Sequence, residues 1–209
     1  MPYAPRIVPR KPSGPLKVIG LTGGIGMGKS TCAAAFKRAR IPVFDADACV
    51  HMLQSPGGRA LKPIEATFPG TVVNGALDRT ALRAAVLGNR DALTKLEKIL
   101  HPMVRDEERG FLARARRAGK PAAVLDIPLL FETGGRKLSF SIAVSAPQAV
   151  QVHRVRLRGK MTAKDIENVI ARQMPDLEKR RRADIVIRTG LSRHETQRQL
   201  KRIILGLRA

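Results

Sequence analysis

Residues 23–30 read Gly-Gly-Ile-Gly-Met-Gly-Lys-Ser, which satisfies G-x-x-x-x-G-K-[ST] with Gly23, Gly28, Lys29 and Ser30 at the fixed positions. That spacing is a phosphate-binding loop, or P-loop. Glycines let the backbone turn with its N–H groups inward, and no Cβ blocks a phosphate oxygen. A helix that starts where the loop ends turns its positive end to the same anion. The backbone of Gly24, Ile25, Gly26, Met27, Gly28, Lys29, Ser30 and Thr31 would cradle the phosphates of a nucleotide such as ATP. The Lys29 ammonium would reach the β- and γ-phosphates, and the Ser30 hydroxyl would ligate Mg²⁺. The competing reading is a glycine-rich turn followed by an ordinary exposed lysine. The flanks favour the loop. Apolar Val18-Ile19-Gly20-Leu21 precedes it, and Cys32-Ala33-Ala34-Ala35-Phe36 follows it as a helix.

Carboxylates stand where such a loop needs them. Asp45 and Asp47 lie just past the short strand Ile41-Pro42-Val43-Phe44, at the edge where α/β sheets bind ligands. An alcohol that attacks phosphorus needs its proton accepted or its oxygen oriented, which a carboxylate at this edge can do. Asp45 could touch Mg²⁺ through water. The alternative for both is to cap the next helix. Asp126 ends an apolar strand, where a P-loop enzyme carries its second, metal-side acid. The alternative there is a turn aspartate before Ile127-Pro128. Arg154 stands in an Arg-rich stretch, and a guanidinium fork suits phosphate oxygens. On a helix Arg158 shares its face and Arg156 points elsewhere. A solvated basic helix competes with this reading and is the better one for Arg180-Arg181-Arg182. His101 reads as a structural residue at a helix end, and no His/Cys cluster has zinc spacing.

Strand and helix signals alternate, which predicts an α/β fold with a parallel sheet. Residues 48–118 break the alternation. They carry a possible hairpin at 71–75 and helix starts at Asp78 and at Asp91. Leu93, Leu96, Ile99 and Leu100 fit one helical face, and a further long helix is expected after His101-Pro102. The block reads as a helical insertion. Beyond it, residues 122–128, 140–144 and 185–187 read as strands. Residues 154–182 read as an Arg-rich helical block, and Ser192-Arg193-His194-Glu195 as a capping box.

The 209 residues and 44% hydrophobic content suit one good core with a subdomain. No run of 18 apolar residues occurs, so no membrane association is expected. The first 15 residues lack the apolar region of a secretory signal, and their prolines Pro2, Pro5, Pro9, Pro12 and Pro15 predict an extended, mobile leader. Cys32 and Cys49 form no metal or redox spacing, which predicts a reduced, cytoplasmic protein. Lys and Arg number 39 against 17 Asp and Glu, a net charge of +22. Such charge could meet nucleic acid, polyanionic ligands or only water. Aromatics make up 3%, with no Trp and one Tyr, too few for base-stacking platforms. Nonspecific nucleic-acid adhesion at low salt is the expectation. Nothing in the sequence fixes an oligomeric state.

In order along the chain come residues 20–31, Asp45-Ala46-Asp47, His101-Pro102, the run Asp126-Ile127-Pro128-Leu129-Leu130-Phe131-Glu132, Arg154, Gln173 and Ala183-Asp184-Ile185-Val186-Ile187. Together they resemble the dephospho-CoA kinase family from about Lys17 onward. Met27 stands where serine is usual, and Arg188-Thr189-Gly190 where Asp-Asn-x-Gly is more usual. The resemblance implies transfer of the ATP γ-phosphate to the ribose 3′-hydroxyl of dephospho-CoA, with Mg²⁺. It places Asp47 on the acceptor and Arg154 on the transferring phosphate. It also implies a P-loop kinase-like parallel sheet flanked by helices. Residues 17–47, 119–153 and 183–209 would form that core, after a leader over 1–16. Residues 48–118 would be the inserted helical CoA-binding domain, and 154–182 a helical lid. Other small-molecule P-loop kinases and a nucleic-acid-binding P-loop protein are the alternatives.

Overall fold

The computed structural model describes residues 14–134, 136–159, 161–171 and 173–208. The Pro-rich leader therefore lies, through residue 13, outside the described residues. The chain divides into two compact units, Met1–Val43 with Arg114–Ala209, and Phe44–Ala113. The elements run β1 (Lys17–Thr22), α1 (Lys29–Arg38), β2 (Val43–Asp45), α2 (Ala46–Leu53), α3 (Leu61–Thr67), β3 (Val72–Val73), β4 (Ala76–Leu77), α4 (Arg79–Val86) and α5 (Arg90–Arg117). Then follow β5 (Ala122–Asp126), α6 (Leu130–Thr133), β6 (Phe140–Ser145), α7 (Gln148–Arg156), α8 (Ala163–Ala171), α9 (Asp176–Arg182), β7 (Ile185–Arg188) and α10 (Arg193–Arg208). No helix among the described residues is long and apolar enough to cross a membrane.

The main sheet has the order β2-β5-β1-β6-β7. β1 runs parallel to β5 and β6, and β6 parallel to β7. Helices cover a parallel sheet on both faces, so its central strands must be apolar throughout. β5 is buried along its whole length, and β1 and β6 at every residue but the first. Phe36 and Cys32 of α1, and Leu200 and Leu207 of α10, pack on Ile19, Leu21, Val124, Ile142, Val144 and Ile187. Parallel strands present their carboxyl ends together. Leu21 pairs with Asp126 and Ser145 with Arg188, so the segments after β1, β5, β6 and β7 leave one edge.

In the second unit, local chemistry sets several elements. Asn74 and Gly75, with φ of 50° and 75°, turn the β3–β4 hairpin as the Asn-Gly pair predicts. The Asp78 carboxylate accepts from the N–H groups of Thr80 and Ala81 and caps α4. Four expectations are corrected. The start expected at Asp91 is capped instead by Asn89, whose carboxamide accepts from Ala92 N–H at 3.0 Å, so α5 begins at Arg90. Nor does Pro102 separate two helices, because α5 runs unbroken through it for 28 residues. Proline removes one helical hydrogen bond. That loss is outweighed here by an i+4 row of buried residues, Ala92, Leu96, Leu100 and Val104, that continues past the proline. Leu93, expected on that face, is 45% exposed. His101 consequently sits exposed within α5, not at a helix end.

The capping box before α10 is half formed. Ser192 Oγ accepts from Glu195 N–H, while Glu195 pairs with Arg198.

Candidate active site

The loop between β1 and α1 is held from behind. Gly26 and Gly28 adopt φ of 73° and 94°, a region that side chains disfavour. A Cβ on Gly26 would stand 2.7 Å from the Gln151 carbonyl, and one on Gly28 would stand 3.2 Å from Thr189 Oγ1. The Ile25 peptide is gripped on both sides. Its N–H donates to Gln173 Oε1 at 3.1 Å, and its carbonyl accepts from Gln151 Nε2 at 2.9 Å. Met27 is buried, and its sulfur accepts from Ala146 N–H at 3.1 Å. These partners leave the mouth of the loop to a ligand. Gly28 caps α1 and its first turn holds no acidic side chain, so the helix's positive end is not neutralised from within. Ser30 and Thr31 are exposed there.

Lys29 Nζ lies 2.5 Å from Asp126 Oδ1, and the two side chains are 17% and 5% exposed. β5 carries Asp126 to the edge beside the loop, and Ile127 N–H locks it there on the Leu21 carbonyl at 2.9 Å. Just beyond, the Pro128 carbonyl accepts from Thr22 Oγ1 at 2.9 Å and from Lys179 Nζ at 3.1 Å. Lys179 is 2% exposed and pairs with Glu132 at 2.9 Å. Burial pushes the Glu132 carboxyl up, but hydrogen bonds from Lys179 and from peptide N–H groups outweigh it and hold the group below its usual range. A carboxyl lowered in the folded state adds stability above its unfolded value and loses it as pH falls through the folded one. Thermal unfolding between neutral pH and about pH 3 should therefore show an acid limb that is shallower in Glu132→Gln. Identical limbs would leave the Glu132–Lys179 pair without a role in acid stability.

Cys32, in the first turn of α1, has its thiol pushed up to about 12 by burial and by the Asp126 charge. It is an inert packing residue. The Ser30 hydroxyl and the Asp126 carboxylate are hard oxygen donors. No group of three or more His, Cys, Asp or Glu able to hold a metal occurs among the described residues. The Ser30 and Asp126 oxygens are of the kind that suits Mg²⁺, which keeps waters and phosphate oxygens as its other ligands.

Arg154, near the end of α7, faces the loop. Its Nη1 donates to Thr189 Oγ1 at 2.9 Å and its Nη2 to the Thr189 carbonyl at 2.6 Å. α7 stops at Arg156, so Arg158 lies in the following turn and does not share a helical face with Arg154. Arg156 and Arg158 are exposed, as are Arg181 and Arg182. Arg180 differs. It lines a cavity of about 670 Å³ beside the loop, with Met27, Pro147, Gln151, Ile170 and Leu191. Its walls combine apolar side chains with polar and charged ones, Asp176, Arg180 and Arg188 among them, which suits a ligand with flat faces and hydrogen-bonding edges.

Asp45 and Asp47 belong to the second unit. The Asp45 carboxylate caps α2 through Ala48 N–H at 3.0 Å. Asp47 is exposed in the first turn of α2. Gln151, Lys179 and Thr189 support the site without standing out as site residues in the sequence. The departure at Arg188-Thr189-Gly190 was the one signal for Thr189, and Gln151 and Lys179 carried none.

The sequence model of the dephospho-CoA kinase family matches residues 17–194. A dephospho-CoA kinase of Gluconobacter oxydans is 51% identical over 198 residues, covering 92% of this chain and 98% of its own. One from Brucella melitensis is 49% identical over 191 residues, covering 91% and 94%. Among solved structures, TT1252 from Thermus thermophilus superposes with a TM-score of 0.81 at 35% identity, over 93% of this chain and 99% of its own. A dephospho-CoA kinase from Campylobacter jejuni, 22% identical, shares the fold with a TM-score of 0.61 over 92% and 97%.

Proposed function

The chain belongs to the dephospho-CoA kinase family, and we propose that it transfers the γ-phosphate of ATP to the ribose 3′-hydroxyl of dephospho-CoA, giving coenzyme A. It is an ATP-dependent phosphotransferase of that family. The observation that carries the residue-level reading is the Lys29–Asp126 pair beside a loop whose helix end lacks an internal acid. Phosphoryl transfer asks a protein mainly for positioning and charge neutralisation.

In this reading the backbone of residues 24–31 holds the ATP phosphates, and the cavity beside Met27 and Arg180 takes the base. Lys29 turns from Asp126 to the β- and γ-phosphates when ATP binds. Ser30 and Asp126 hold Mg²⁺, which neutralises charge on the phosphates. Asp47 accepts or orients the proton of the acceptor hydroxyl. Arg154 stabilises the phosphoryl group in transit. Residues 48–118 serve as the CoA-binding insertion, and 154–182 as a lid over the nucleotide. The enzyme works in the cytoplasm in this reading, where the buried thiols Cys32 and Cys49 stay free. The charge of +22 serves as a field that draws in anionic substrates, with nucleic-acid adhesion a low-salt side effect.

Coupled ADP release across a panel of alcohols tests the reaction. Release should require both Mg²⁺ and dephospho-CoA. Efficient turnover of adenosine, uridine or shikimate with none of dephospho-CoA would move the chain to another small-molecule specificity.

A further inference from the structure

Thr189, just after β7, is 6% exposed and meets four groups. Its N–H donates to the Ser145 carbonyl at 2.8 Å, tying it to the end of β6. Its hydroxyl donates to the Met27 carbonyl, inside the phosphate loop, at 2.6 Å. The same oxygen accepts from Arg154 Nη1 at 2.9 Å, and the Thr189 carbonyl accepts from Arg154 Nη2 at 2.6 Å. Arg154 Nη1 also points at the Gly26 carbonyl at 3.5 Å. The side chain further presses on Gly28, where a Cβ would approach Oγ1 to 3.2 Å.

One residue therefore fixes both the loop and the arginine. The task needs a group that donates and accepts at once within a buried space, which a hydroxyl does. A guanidinium has five N–H donors. Its grip on Thr189 and Gly26 uses one edge of the fork and leaves donors for an anion. We propose that Thr189 is the positioning residue that seats Arg154 against the phosphate loop, so that the guanidinium meets the transferring phosphate from a preset position. The proposal rests on the assignment of Arg154 to that phosphate. A seated arginine keeps a hydrogen-bonding edge aimed at the loop, and rigid placement lowers the cost of ordering a long side chain during the reaction.

Thr189→Val and Thr189→Ser, each with Arg154 intact and with Arg154→Ala, test it. The readouts are kcat, the KM for each substrate, and Tm. Hydrogen bonds to charged groups are worth enough that Thr189→Val should lower kcat by ~10- to 100-fold. KM for dephospho-CoA should hardly move, and Thr189→Ser should restore most of kcat. In the Arg154→Ala background Thr189→Val should cost nothing further, because its effect passes through the arginine. Equal losses of kcat in both backgrounds, or a loss that tracks Tm and that serine does not rescue, would make Thr189 a packing residue only and overturn the proposal. If Arg154→Ala alone keeps wild-type kcat, the assignment of Arg154 falls. If Arg154→Ala lowers kcat and Thr189→Val does not, the proposal alone falls. Should Thr189→Val fail to fold, Thr189→Ala removes the same hydroxyl and carries the same comparison.

Discussion

Lys29→Ala should lower kcat/KM by on the order of 10²-fold or more while the circular dichroism spectrum stays native. In the proposed mechanism, phosphate charge next to the loop is met by backbone dipoles, by the end of α1 and by one ammonium. Removing the ammonium takes away the only full positive charge on this loop, since the other residues from Gly23 to Thr31 are uncharged. The variant has a second effect. Asp126, 4% exposed, loses a cation that stood 2.5 Å away. Removing one member of a buried ion pair is costly because the other stays desolvated. Tm should therefore fall in Lys29→Ala and recover in part in Lys29→Ala/Asp126→Asn, where the desolvated charge is gone. Activity should not recover, because the ammonium is still missing. Near-wild-type kinetics for Lys29→Ala would mean that this loop does not hold the reacting phosphates.

Asp47→Asn should lower kcat by about 10²- to 10⁴-fold, the range for loss of a general base, with the KM for ATP nearly retained. The change keeps the side chain's size and removes its charge and its capacity to take a proton. Asp47 is exposed in the first turn of α2, and the Tm of the variant separates a kinetic loss from a folding one. Steady-state kinetics with each substrate varied in turn separates the roles. Loss of ATP binding with normal turnover at saturation would reassign Asp47 to the nucleotide or its metal. Asp45→Ala serves as the companion. The Asp45 carboxylate is engaged on Ala48 N–H, so its removal should act mainly through helix capping.

Much of the site was legible in the chain because the relevant chemistry is local. Eight consecutive residues specify a glycine turn, a helix start and a lysine at its mouth, and no distant partner is needed to recognise them. The apolar runs that became β1, β5 and β6 announced buried parallel strands, and Asp126 stood at the end of one. Asp78 and the Asn74-Gly75 pair likewise set a cap and a turn from neighbours alone. Pro102 misled for the same reason. Its local effect is real, but the buried row of Ala92, Leu96, Leu100 and Val104 lies outside any local rule and decided the helix.

What holds the loop in shape was decided by the folded chain. Gln173 reaches Ile25 across 148 positions, Gln151 reaches it across 126, and Thr189 reaches Met27 across 162. Lys179 adjoins Arg180-Arg181-Arg182, the run that reads as a solvated face. Yet it is 2% exposed, held by Glu132 and the Pro128 carbonyl. Whether a lysine is surface or strut depends on which carboxylate the packed helices bring to it. Composition does not encode that, because burial and pairing exist only once distant segments share the same few ångströms.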